Sequence, residues 1–254
     1  MPATIEKLVR IPVDDVNIEG MLKLPDNARG IVLFAHGSGS GRHSSRNNYV
    51  AQVLINRGIG TLLMDLLTPE EGMDYQARFD IPLLTSRLLA ATHWVKTEEL
   101  TKNLLIGYFG ASTGAAAALQ AAAVLSDGTV FSDYISAVVS RGGRPDLAEQ
   151  NYLEKVRAPT LLLVGGLDDV VIELNREAYK LMHNKKELSI IPGATHLFEE
   201  SGTLEEVAYQ AAAWFTLSRD CKKICVNDIL PMTFKRNYHG HNQQVYKRPT
   251  AITR

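Results

Sequence analysis

The sequence predicts an α/β protein built on a mostly parallel, doubly wound sheet with an antiparallel N-terminal edge. Three observations point to it. Short, continuous apolar runs recur along the chain, among them "GIVLFAHG" (30–37), "GTLLMDLL" (60–67), "LLIGYFG" (104–110), "YISAVVS" (134–140) and "PTLLLVGG" (159–166). Such runs suit strands covered on both faces. Segments with helical spacing of apolar residues lie between most of them, and strands alternating with helices make a parallel sheet. The stretch 5–24 instead alternates apolar and polar residues on either side of Asp14 and Asp15, the pattern of an antiparallel hairpin.

The elements follow in order. After strand 30–37, Tyr49, Val50, Val53 and Leu54 mark a helix over 47–57, and Gly58 suits its stop. After strand 60–67 comes a loop rich in Pro, Glu and Gly, then a helix over 83–95 with Leu84, Leu88, Ala91 and Val95 on one face. Strand 104–110 leads into an Ala-rich helix over 113–125, and strand 134–140 follows. Strand 159–166 precedes a helix over 173–183, where Leu174, Ala178, Leu181 and Met182 align. "ELSIIPG" (187–193) is the last strand, and the helix over 203–217 turns Leu204, Val207, Ala208, Ala211, Trp214 and Phe215 inward. Ligands of such sheets sit at the carboxyl ends of the strands, so the loops after those strands are where chemistry is expected.

The chain of 254 residues is 45% hydrophobic and 22% charged, ordinary for a globular protein with a sizeable core. No run approaches the ~18 apolar residues of a membrane span, and "MPATIEKLVR" lacks the apolar centre of a secretory signal. Cys221 and Cys225 match neither a zinc nor a redox pattern, so a cytoplasmic location is expected. The net charge of -1 divides unevenly: residues 219–254 carry eight Lys/Arg against two acids, and residues 1–218 the remaining 19 against 26. We therefore expect one domain over 1–218 and a basic extension over 219–254, disordered or loosely docked. The acidic domain predicts no nucleic-acid partner. No histidine pair has metal-ligand spacing within a structured element, so no metal is expected.

Three loops carry a chemical constellation. "GASTG" (110–114) sets Ser112 between small residues at a strand-to-helix turn, Asp168 follows a strand in "VGGLDDVV", and His196 follows the last strand in "PGATHLFEE". A Gly-x-Ser-x-Gly turn followed by Asp and then His is the order of the α/β hydrolases. With "LFAHGSGSG" (33–41) after an early strand, the chain resembles an α/β hydrolase of the dienelactone hydrolase family over roughly residues 1–218.

The resemblance implies an α/β-hydrolase fold with a minimal lid and hydrolysis of a carboxylic ester, lactone or related small-molecule acyl substrate without a cofactor. It implies Ser112 as nucleophile, His196 as base and Asp168 as the acid that orients it. The amides of Ser38 and Thr113 would form the oxyanion hole. His36 is read as structural. The namesake enzymes carry cysteine where this chain has Ser112, which favours a general serine esterase over the dienelactone substrate. An acyltransferase with the same triad and a catalytically silent binding module are the alternatives, and either a monomer or a homodimer is compatible. Arg78, Arg141 and Arg144 lie in loops at the same edge and are candidates for holding a substrate anion; Arg42 and Arg46 are read as solvated.

Overall fold

A computed structural model of the chain describes residues 4–126 and 135–221. All lie in one compact unit, Met1–Lys223; most of the basic extension predicted over 219–254 lies outside the described residues. The predicted hairpin is β1 (Thr4–Val13) and β2 (Val16–Pro25), paired antiparallel through Val13↔Val16. Asp14 takes φ 48° at the turn, a left-handed conformation that Asp tolerates better than most residues. The strands β3 (Gly30–Ala35), β4 (Gly60–Met64), β5 (Leu105–Ala111), β6 (Ile135–Arg141), β7 (Thr160–Gly165) and β8 (Lys186–Ile191) are mutually parallel, and β2 joins β4 antiparallel. The eight-stranded order is β1-β2-β4-β3-β5-β6-β7-β8.

Every residue of β3, β4 and β7 is buried, which is why these strands read as unbroken apolar runs. Two helices, α1 (Ser45–Asn56) and α6 (Thr203–Cys221), cover one face. Phe34 and Phe109 meet beneath them, with ring centroids 4.9 Å apart. The opposite face carries α2 (Ile81–Thr97), α3 (Thr113–Val124), α4 (Gln150–Lys155) and α5 (Asp169–Leu181). There the Tyr108 hydroxyl meets Thr92 Oγ1 at 2.6 Å in the core, and burial raises the phenol's pKa. Asp80 caps α2 by accepting from the Leu83 amide at 2.9 Å.

The sheet's winding locates the site. From β3 the chain passes through α1 to β4 on one side, while β5 lies on the other side and sends α3 across the opposite face. The crevice outside the carboxyl ends of β3 and β5 is therefore a topological switch point. Three details differ from the sequence expectation. The helix predicted over 173–183 begins at Asp169, the helix predicted to end at 217 runs to Cys221, and the loops hold an additional helix, α4, and three 3-10 turns at Glu71–Met73, Ala77–Phe79 and Pro145–Leu147. Among the described residues no helix is long and apolar enough to cross a membrane.

Candidate active site

Ser112 stands at the junction of β5 and α3 with φ 50° and ψ -120°. A side-chain-bearing residue held in so sparsely populated a region costs about 1–3 kcal/mol, so the surroundings must hold it. Its N–H donates to the Arg141 carbonyl at 3.2 Å, and its carbonyl accepts from the Ala115 amide at 3.0 Å and the Arg144 amide at 3.1 Å. The helix also starts close to the sheet. A Cβ on Gly114 would stand 2.2 Å from the Ala35 carbonyl oxygen, and one on Gly110 would stand 2.4 Å from Ala115 Cα. Glycine at both positions lets α3 approach the strands and forces the sharp turn that presents Ser112.

His196 and Asp168 come from the neighbouring strands β8 and β7. His196 Nδ1 lies 2.6 Å from Asp168 Oδ2, with the carboxylate side chain 16% exposed and the imidazole 38%. The loop after β8 folds back across the sheet edge to make this possible. The Leu167 amide donates to the Ala194 carbonyl at 2.9 Å, and a Cβ on Gly142, just past β6, would lie 3.1 Å from the His196 carbonyl oxygen. His196 is thereby carried over β7 and β6 toward Ser112, and both line one cavity of about 220 Å³ with Ser38, Arg46 and Arg141. Glu200 braces the loop by accepting from the Thr195 amide at 3.0 Å and the Thr195 hydroxyl at 2.6 Å, bonds that hold its own pKa down.

Past β3, His36 is buried and its pKa is lowered, first by loss of water and against the pull of the Gly37 carbonyl and Asp65. Its Nε2 accepts from the Leu66 amide at 2.9 Å, so Nδ1 carries the proton and donates to the Gly37 carbonyl at 2.9 Å. A neutral His36 thus staples the loop after β3 to the loop after β4, the structural role read from the sequence. Arg42 tightens the same loop. Its amide meets Asp65 Oδ1 at 2.7 Å, while its guanidinium pairs with Asp65 and, at 2.7 Å, with Glu19. Arg42 is therefore not solvated, correcting the sequence reading.

The Ser38 and Thr113 amides donate to no other described residue. Thr113 is the first residue of α3, where backbone N–H groups have no intrahelical partner and the helix end is positive. Both residues line a second, larger cavity of about 380 Å³ that also meets Leu67, Pro69, Met73 and Leu84. This cavity contains neither Ser112 nor His196, but Gly37, Ser38 and Ser40 border both spaces. The site therefore has a polar lobe lined by Ser112 and His196 and a larger lobe with an apolar wall, divided by the loop after β3.

The three candidate arginines have separate placements. Arg78 lines the larger lobe and donates from Nε to the Gly72 carbonyl at 2.7 Å. Arg144 forms a two-pronged pair with Asp146 at 2.8 and 2.7 Å, which raises its pKa; its fork is already occupied. Arg141 is buried in the wall of the polar lobe. Burial, and then repulsion from Arg46, push its pKa down to about 10, so it stays charged at neutral pH. Its guanidinium stacks over Phe198 with a centroid distance of 5.8 Å.

Comparison with known proteins places this architecture. No family model matches the chain. A solved dienelactone hydrolase from Anabaena variabilis is 51% identical, with a TM-score of 0.80, covering 84% of this chain and 98% of its own. Est1E of Butyrivibrio proteoclasticus shares the fold at 19% identity and a TM-score of 0.69, over 84% of this chain and 99% of its own. Two Mycobacterium tuberculosis sequences, from different strains and provisionally named phosphoribosyl transferases, are 55% identical over 214 residues, 84% of this chain. The chain spans about half the length of these curated relatives, 47%. With the fold shared and 51% identity to the Anabaena variabilis enzyme across nearly all of that enzyme's length, the chain belongs to the dienelactone hydrolase family of α/β hydrolases.

Proposed function

We propose that the protein is a serine hydrolase of carboxylic esters, lactones or related acyl compounds, acting through an acyl-enzyme on Ser112. One observation carries this reading: a serine in a strained strand-to-helix turn shares a cavity with a histidine whose other ring nitrogen is 2.6 Å from a carboxylate. A serine hydroxyl is a poor nucleophile without a base. In the proposed sequence Ser112 Oγ attacks the carbonyl carbon as its proton passes to His196 Nε2. Asp168 accepts from Nδ1–H and stabilises the imidazolium. The Ser38 and Thr113 amides receive the oxyanion. Collapse breaks the ester bond, and the leaving alcohol takes the proton from His196. Water then repeats the sequence, releasing the acid and restoring Ser112.

The transferase name of the mycobacterial relatives belongs to chains about twice as long. We assign the shared half to acyl chemistry, because displacement at a sugar carbon calls for no elbow serine and no His–Asp pair. A fluorophosphonate probe tests the reading. We expect one adduct, on Ser112, lost in Ser112→Ala and slowed by about 10⁴-fold in His196→Ala. An unlabelled Ser112 in the folded protein would overturn the proposal. Product partitioning toward added alcohols in place of water would instead identify an acyltransferase.

A further inference from the structure

We infer that Arg46 and Arg141 form an anion subsite in the polar lobe, and that the substrate is an acyl ester carrying a phosphate or phosphonate group a few bonds from the scissile carbonyl. The inference rests on the serine-hydrolase reading for the position of that carbonyl. Arg141 is 7% exposed, its Nε has no hydrogen-bond partner, and among the described residues no carboxylate pairs with it. A buried cation without a counter-charge is costly, and here a second cation adds to the cost. Arg46 borders the same cavity and is close enough to disfavour the charge on Arg141. Its Nε is likewise buried without a partner, and its one ion pair among the described residues, at 2.8 Å, goes to the exposed Glu199.

The lobe offers hydroxyl donors as well. Ser38, Ser40 and Ser44 line it, and Ser44 is the N-cap residue of the twelve-residue α1, so the positive end of that helix borders the cavity. A carboxylate, with two oxygens, fills one guanidinium fork. A phosphate, with three, reaches both arginines and retains an acceptor for a hydroxyl. Because Ser112 and His196 line the same 220 Å³ space, an anion held there lies beside the reacting carbonyl, and the apolar portion of the substrate falls into the 380 Å³ lobe against Leu67, Met73 and Leu84. The phosphate is a handle and is not cleaved.

Matched phenyl esters of butyrate, succinate and phosphonopropionate test the proposal by kcat/KM. The wild type should prefer the phosphonate ester over the butyrate by about 10- to 100-fold, the range of one or two charge-assisted hydrogen bonds. Arg141→Met and Arg46→Gln should each remove most of that preference; with thermal melts confirming folding, either variant is sufficient. Equal rates on all three esters, a preference for succinate, or a preference unchanged in both variants would overturn it. Titration of inorganic phosphate into Ser112→Ala by calorimetry separates this claim from the hydrolase reading. Binding should be measurable and weakened about tenfold or more by adding Arg141→Met. Absence of binding defeats the subsite whatever the role of Ser112.

Discussion

Gly114→Ala is the substitution that most sharply tests how the elbow is held. The added Cβ would stand 2.2 Å from the Ala35 carbonyl oxygen and 2.4 Å from that of His36, against an ordinary contact of at least 3.4 Å. Both obstacles are backbone atoms of β3 and the loop that follows it, so no side chain can swing aside. The first turn of α3 must retreat by the shortfall, about 1.2 Å. That turn carries the Thr113 amide and begins at Ser112, whose carbonyl is bonded to the Ala115 amide. A misplacement of about 1 Å costs about 100-fold in rate, so kcat/KM on a neutral aryl ester should fall about 100-fold. Overpacking of this kind costs about 1–3 kcal/mol, which lowers Tm by about 2–12 °C in a domain of this size. Paired kinetic and melting measurements on one preparation give both values. A variant within threefold of wild-type activity would refute the close approach of α3 to β3 as the device that positions Ser112.

Three further outcomes follow from the geometry. Asp168→Asn preserves the shape of the contact with His196 Nδ1 but removes the charge that stabilises the imidazolium; kcat should drop by about 10³–10⁴-fold with Tm little altered, and stopped-flow kinetics would reveal an unchanged rate if Asp168 were only a helix cap. His36 has a folded-state pKa below its ordinary value of 6.5. The unfolded chain therefore binds the extra proton first as pH falls, so the stability that neutral His36 contributes is present above pH 6.5 and is lost as pH drops toward the folded value. Urea melts between about pH 7 and pH 5.5 should show stability falling with pH, by at most about 1.4 kcal/mol per unit from this group, a fall absent in His36→Gln. Arg42→Met leaves Asp65 without its guanidinium partner, and Glu19 with Arg10 alone, at the base of the loop after β3. We expect a loss of about 1–3 kcal/mol together with a fall in kcat, and a variant with wild-type kcat would show that the loop is held without Arg42.

The parts of this protein legible in its sequence are those where local pattern and tertiary environment agree. β3, β4 and β7 are buried at every position, so burial itself writes the apolar runs. The site loops were legible because a parallel sheet sends all its carboxyl ends to one edge, and Ser112, Asp168 and His196 each follow a strand. α4 escaped because six residues complete less than two helical turns and display no period. The start of α5 was misplaced because Asp169 and Val170 read as loop, although Asp169 favours a first helical turn. The arginines divide on the same principle. Arg144 pairs with an acid two positions along, a contact visible in "RPD". Arg42 meets Asp65 across 23 residues and Arg46 meets Glu199 across 153, contacts that only the folded sheet edge creates. The departure of Arg46 from a solvated role, and the lack among the described residues of a carboxylate for Arg141, depend on a cavity whose walls come from four stretches of chain, at 37–46, 111–112, 141 and 196–197.

Trapping the intermediate tests the central claim most directly. A rapid acid quench of the protein turning over phenyl butyrate, followed by proteolysis and mass spectrometry, should find one butyryl group on the peptide bearing Ser112. It should accumulate in a burst that Ser112→Ala abolishes. Turnover with no acylated peptide in the burst phase, or with the acyl group on another residue, would contradict the assignment of Ser112 as the nucleophile.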